Sequence, residues 1–321
     1  MRTAFHSLAI AALCLVASPV FAQEAPLETK DKAVVQFDVN IEKITQSELG
    51  KKLDLAGKMQ ELPVSSDDVD PSAITRMFGA MSLPDNMEAF QNMRPGGEIP
   101  MEMFMRMVVN DKKAIDDSLD KMKDNAEEVS IGGKKFMKPT NGDAPEGVLF
   151  QRINDNTIEM GTEKYVTRGD ATVATANLAK AWKMTPDHAI RIVVDVDGME
   201  ALKEEIIETA PPQAMAYAEL LNNISNLRIT IDLSGDNLLT LCATGKDEDM
   251  AEEFADGIDS LLMFAKMGMD PARAPNDEAA NVMKAISEAL EANLEGTEVS
   301  VKIPRPEGFD SVVEGMLPPG F

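Results

Sequence analysis

Histidine, cysteine and the large aromatics are scarce. The 321-residue chain holds two His, two Cys, one Trp and two Tyr. A multi-histidine zinc site needs ligands this chain does not have. Neither H-E-x-x-H, C-x-x-C, G-x-S-x-G, a Walker A loop nor a Rossmann glycine fingerprint occurs. Gly245-Lys246 lacks both the upstream spacing and the Ser/Thr of a phosphate loop. Carbohydrate sites usually stack sugars on aromatic platforms, and Trp182 with two Tyr makes a poor supply. Basic residues are also in deficit, 31 Lys plus Arg against 55 Asp plus Glu. The net charge of −24 repels nucleic acid and anionic lipid surfaces, and no local basic patch offsets it. Beyond the N-terminal segment no apolar run reaches the roughly 18 residues of a spanning helix. Nothing in this composition implies a cofactor.

What is present begins with an export pattern. Arg2 gives a positive start, Leu8 to Val16 an apolar run, and Val20-Phe21-Ala22 a small-residue exit. This is the layout of a secretory signal peptide over residues 1–22, cut between Ala22 and Gln23, and it predicts a secreted or periplasmic protein. Cys14 lies inside the apolar run, so a lipoprotein anchor is not expected. Removal of the segment takes Cys14 and His6 with it. Cys242 is then a lone thiol with no intrachain disulfide to make, and packing must hold the core together.

Periodicity divides the rest. Residues 23–32 read as a linker. Ala33 to Ile41 alternates as a half-buried strand. Thr45 to Glu48 reads as a T-x-x-E capping box before a helix through Leu49, Leu53 and Leu55. Asp70 and Pro71 start a second helix carrying Ile74, Met77 and Phe78. Met101 to Val109 is a strand and Asp111 to Lys123 a helix with Ile115, Leu119 and Met122 on one face. Gly132-Gly133 turns a hairpin between Val129 and Phe136. Asp155-Asn156 turns another, and a two-residue turn there sets Arg152 opposite Glu159. A helix over 171–184 connects to a second set. Ile190 to Val196 is a strand ending in a D-x-x-E cap, Asp197 to Glu200. Pro211-Pro212 breaks the helix that follows. Asn226 to Thr244 is a hairpin, with a three-residue loop at Gly235-Asp236-Asn237 setting Leu233 opposite Leu239 and Ile231 opposite Leu241. Helices over 247–266 and 276–294 precede a strand with Val299, Val301 and Ile303 inward, and 318–321 is a tail. The predicted fold is α+β: antiparallel sheets with helices packed on one face, in a divergent tandem duplication of 33–170 and 185–317.

Three groups of residues bear on function. Met77, Met81, Met87, Met93, Met101, Met103, Met105 and Met107 crowd one stretch. Strand alternation puts Met101, Met103, Met105 and Met107 on one face, with Phe104 and Arg106 on the other. Such a stripe is ordinarily core. Unbranched Met also repacks around varied shapes, which makes these four the candidate partner surface, and soft thioethers select Cu(I). Asp67, Asp68 and Asp70 could hold a hard cation in a loop, although a solvated loop with an N-cap needs no ion. His188 alone could serve a Ser-His-Asp arrangement, and nothing nearby in sequence marks a nucleophile for it. Asp249, Glu252, Glu253 and Asp256 form one solvated helix face.

Ser82-Leu83-Pro84-Asp85, Ile131-Gly132-Gly133-Lys134-Lys135-Phe136, Ile158-Glu159-Met160-Gly161-Thr162-Glu163 and the hairpin Asn226 to Lys246 resemble segments of large, uncharacterised exported proteins of planctomycete bacteria. The likeness runs from about Ala33 to Gly315. It implies export and an α+β fold, and no activity or site residue comes with it. The expected function is that of an exported, non-enzymatic binding or structural protein of the cell envelope, its partner another envelope protein or an apolar ligand. A hydrolase using carboxylates alone and a Met-based Cu(I) binder are the alternatives.

Overall fold

A computed structural model describes residues 33–61, 71–82, 102–123, 125–140, 147–166, 174–211 and 214–316. In chain order these form β1 (Val35–Val39), α1 (Ile41–Gln46), α2 (Glu48–Lys52), α3 (Leu55–Glu61), β2 (Ile74–Met81), β3 (Met103–Val109), α4 (Lys112–Met122), β4 (Ala126–Ile131), β5 (Lys134–Pro139), β6 (Val148–Asn154), β7 (Thr157–Thr162), α5 (Glu163–Val166) and α6 (Ala176–Met184). There follow β8 (Ile190–Asp195), α7 (Glu200–Thr209), α8 (Met215–Glu219), β9 (Ile224–Ile231), β10 (Asn237–Gly245), α9 (Glu248–Gly268), α10 (Asp277–Ala289), β11 (Ala292–Glu295), β12 (Glu298–Pro304) and α11 (Phe309–Met316). The class is α+β. No described helix is long and apolar enough to cross a membrane.

The described chain forms two compact units. One takes residues 33–42 and those of 59–184, the other Lys43–Lys58 and those from Thr185 on. The change at Thr185 coincides with the expected start of the second half, whereas the exchange of 43–58 leaves no trace in the hydrophobic pattern. In the first unit the strand order is β1-β2-β3-β7-β6-β5-β4, and in the second β8-β9-β10-β12-β11. The strand pairings within each are antiparallel. Both units follow one plan. In each, a first strand is joined by two meandering strands, a further helix and a hairpin whose last strand returns beside the third. The first unit adds one more hairpin at its edge.

Local chemistry explains most elements. Asp111 caps α4 by accepting from the Lys113 N–H at 2.9 Å, Asp247 caps α9 through Met250 N–H at 2.8 Å, and Asn276 caps α10 through Ala279 N–H at 2.8 Å. Gly132 (φ 60°) and Gly133 (φ 82°) supply the left-handed pair of a tight turn, and Val129 does face Phe136. The cores follow the expected faces. Val109, Met107, Ile115 and Ile158 are buried together in the first unit, and Ile224, Ala243, Phe254 and Val299 in the second.

Several expectations are corrected. Residues after Pro71 make only a single 3-10 turn, Pro71–Ala73, and Ile74–Met81 is a strand rather than a helix. Pairing on both edges, with β1 and β3, outweighs a local start signal that can end within one turn. The helix through Leu49, α2, is capped by Ser47 rather than Thr45, accepting from Gly50 N–H at 2.9 Å, because the chain is already helical at Thr45. Helix α10 stops at Ala289, short of the expected 294, and β11 follows in a hairpin turned at Gly296 (φ 59°). A bulge between Arg152 and Asn154 sets Gln151, not Arg152, opposite Glu159. The β9–β10 hairpin has a longer loop, with Ile231 opposite Leu239 and Ile229 opposite Leu241. That shift of two residues keeps every apolar side chain on its expected face.

Candidate functional site

The second unit carries an open cavity of about 430 Å³ lined by Lys43, Gln46, Ser47, Asp187, His188, Ala189, Asp232 and Ser234. Its groups come from three pieces of chain. Helix α1 brings Lys43, whose Nζ donates to the Asp187 carbonyl oxygen at 2.9 Å and to its Oδ2 at 3.0 Å. The segment ahead of β8 brings Asp187 and His188. The start of the β9–β10 loop brings Asp232, whose Oδ2 lies 3.1 Å from His188 Nδ1. The other oxygen, Oδ1, accepts from Ser234 N–H at 2.9 Å, so the carboxylate that holds the imidazole also shapes the loop. His188 and Asp232 side chains are 32% and 28% exposed, accessible to a solute. The Ser47 hydroxyl caps α2 and donates to the Ile44 carbonyl at 2.7 Å.

Ser234 also lines a neighbouring cavity of about 310 Å³ with Glu48, Arg305 and Asp310. Arg305 Nε donates to Asp310 Oδ1 at 3.1 Å, and Nη1 to the Leu233 carbonyl at 2.9 Å. The Asp310 hydrogen bonds push the Arg305 guanidinium above its ordinary range, against the effect of burial.

Sequence reasoning singled out His188 and missed its partner. Asp232 lies 44 residues on and fell inside the expected strand when the loop was read as three residues. The pattern Asp232-Leu233-Ser234-Gly235 is the signal that could have found it, since an Asp accepting from the residue two on is a turn former.

Two methionines of the candidate partner surface, Met105 and Met107, belong to the core cluster of the first unit. Met107 is 9% exposed, in the core under α4, and Met105 packs against that core half-buried. The helix that follows β3 packs against this face through Ala114, Ile115 and Leu119. Met103 is half-buried, and Met101 lies outside the described residues, as do Met87 and Met93. Asp67, Asp68 and Asp70, and the cleavage pair Ala22 and Gln23, also lie outside them. Among the described residues no group of three or more His, Cys, Asp or Glu could hold a metal. Among the described residues the most exposed large apolar groups are Met263, Phe264 and Met267 near the end of α9, at 57%, 59% and 74%.

Cys242 is half-buried on β10, with Arg228 opposite on β9 and Ser300 opposite on β12. Burial pushes its thiol up from the ordinary value. Arg228 pulls it back, Glu298 adds to the rise, and Lys302 opposes it. The folded chain therefore keeps this proton to a higher pH than the unfolded chain. The contribution to stability is full below the ordinary thiol range and is lost as pH climbs from that range through the folded value. Alkylation by iodoacetamide should accordingly be slower than for the urea-unfolded chain at neutral pH and should accelerate only at alkaline pH. Equal rates in the two states would contradict the buried thiol.

These features define an α+β protein of two antiparallel-sheet units, with a charged cavity in the second. No family model and no curated protein matches the chain. Among solved structures it is similar to TP0453, a Treponema protein. Crystal form I of that protein shares 10% identity over 89% of this chain and 94% of that one, with a TM-score of 0.42. Crystal form III shares 9% identity over 92% and 99%, with a TM-score of 0.45.

Proposed function

We infer that the chain is an exported, non-enzymatic binding protein of the cell envelope, freed of residues 1–22, and that its second unit holds a small zwitterionic ligand in the cavity around His188. The observation that carries this reading is the pairing of charge at the cavity. Lys43 faces Asp187 and the His188 imidazole faces Asp232, so basic and carboxylate side chains stand side by side. A ligand bearing both charges can engage both kinds of group, whereas a purely anionic or cationic one meets like charge at every step. The Ser47 hydroxyl is engaged in the cap of α2, which favours binding over nucleophilic attack. The volume suits an amino acid.

Calorimetric titration of the processed chain with single α-amino acids tests this. Saturable binding of at least one is expected, weakened at least tenfold by His188→Gln and by Lys43→Met. Absence of binding across the panel would overturn the ligand assignment. Hydrolysis of a p-nitrophenyl ester that disappears in His188→Gln would overturn the non-enzymatic reading.

A further inference from the structure

The first unit gathers methionine from three strands onto one sheet face. Met77 on β2 is directly opposite Met107 on β3, and Met105 on β3 is directly opposite Met160 on β7. Met105 and Met107 are two residues apart on one strand, so the four occupy two adjacent rows on the same side. Directly opposed Cβ atoms in an antiparallel pair lie about 4.5–5.5 Å apart and diagonal ones about 7–8 Å, within the span of flexible Met side chains. All four belong to one packed cluster with Ile115 and Ile158. On the β1 side the Phe37 ring lies against Gly79, opposite Met105. Met107 is buried while Met77, Met105 and Met160 are only half-buried, so the four side chains share one face and three of them keep some exposure.

A thioether is neutral, soft and a poor ligand for hard or borderline cations, and it accepts Cu(I). The neighbouring side chains named here, Ile115, Ile158 and Phe37, offer no oxygen or nitrogen donor that would favour zinc or calcium. The formal charge of −24 favours approach of any cation. We propose that Met77, Met105, Met107 and Met160 form a thioether site for a soft monovalent cation, Cu(I).

The test is anaerobic competition for Cu(I) between the processed chain and a chromophoric Cu(I) chelator, with Ag(I) as a redox-inert second probe. The native chain should withdraw Cu(I) from the chelator and rise in its unfolding midpoint when loaded, through linkage. Met105→Leu with Met107→Leu preserves core volume and should fold, yet should weaken Cu(I) uptake at least tenfold and abolish the thermal rise. The control Met263→Leu with Met267→Leu changes two exposed methionines of the second unit and should leave uptake unchanged. Failure of the native chain to take Cu(I), or undiminished uptake by the Met105/Met107 variant, would overturn the site.

Discussion

Replacing Arg76 with Met is expected to destabilise the first unit by about 3–5 kcal/mol, the usual cost of removing one partner from a buried ion pair. Arg76 Nε and Nη2 reach Asp38 Oδ1 and Oδ2 at 3.1 and 3.0 Å, a two-pronged contact. The two side chains are 8% and 4% exposed, so water cannot replace the guanidinium. Trp182, the sole Trp, is buried in the same unit and reports its unfolding by fluorescence. Replacing both partners, Asp38→Leu with Arg76→Met, should recover most of the loss, because apolar pairs of similar volume often substitute well. A single variant within about 1 kcal/mol of native would show that the pair does not hold β1 to β2.

Phe104→Ala should cost a further large amount when made alone, about 3–5 kcal/mol. Phe104 is 2% exposed, stacks on Tyr165 with ring centroids 5.0 Å apart, and meets Phe78 edge-on at 6.3 Å. Its ring also lies 5.6 Å from the Arg106 guanidinium, which is held by Glu159 at 2.6 Å. Truncation opens a cavity and removes these ring contacts together. Phe104→Leu should lose clearly less, since it fills much of the volume. Equal losses for Ala and Leu in the same Trp182 unfolding curve would contradict a packing origin.

Glu159 and Glu298 occupy matching places in the two strand orders, on the strand that returns beside the third, and each receives an arginine. Arg106 reaches Glu159 from the adjacent β3, whereas Arg228 reaches Glu298 from β9, across β10. Arg228 is buried with its Nε lacking a hydrogen-bond partner. The acid is legible in both places as a polar position in an alternating strand. Which arginine answers it is a matter of neighbouring strands, and no local pattern carries that information.

By itself the sequence determined the inward face of β12, the helix starts near Asp111, Asp247 and Asn276, and the turn at Gly132-Gly133. All of these rest on interactions within a few residues of chain, where spacing and side-chain chemistry suffice. Tertiary structure alone decided that Ile74–Met81 is a strand, because pairing on both of its edges outweighs a start signal worth a single turn. It also decided the shift of two residues in the β9–β10 hairpin, since the side-chain period is two and both registers bury the same face. That shift released Asp232 from the strand and set it beside His188, and strand order brought Met160 beside Met105. Both candidate sites thus join residues far apart in the chain, and only the pairing of distant strands and loops could bring them together.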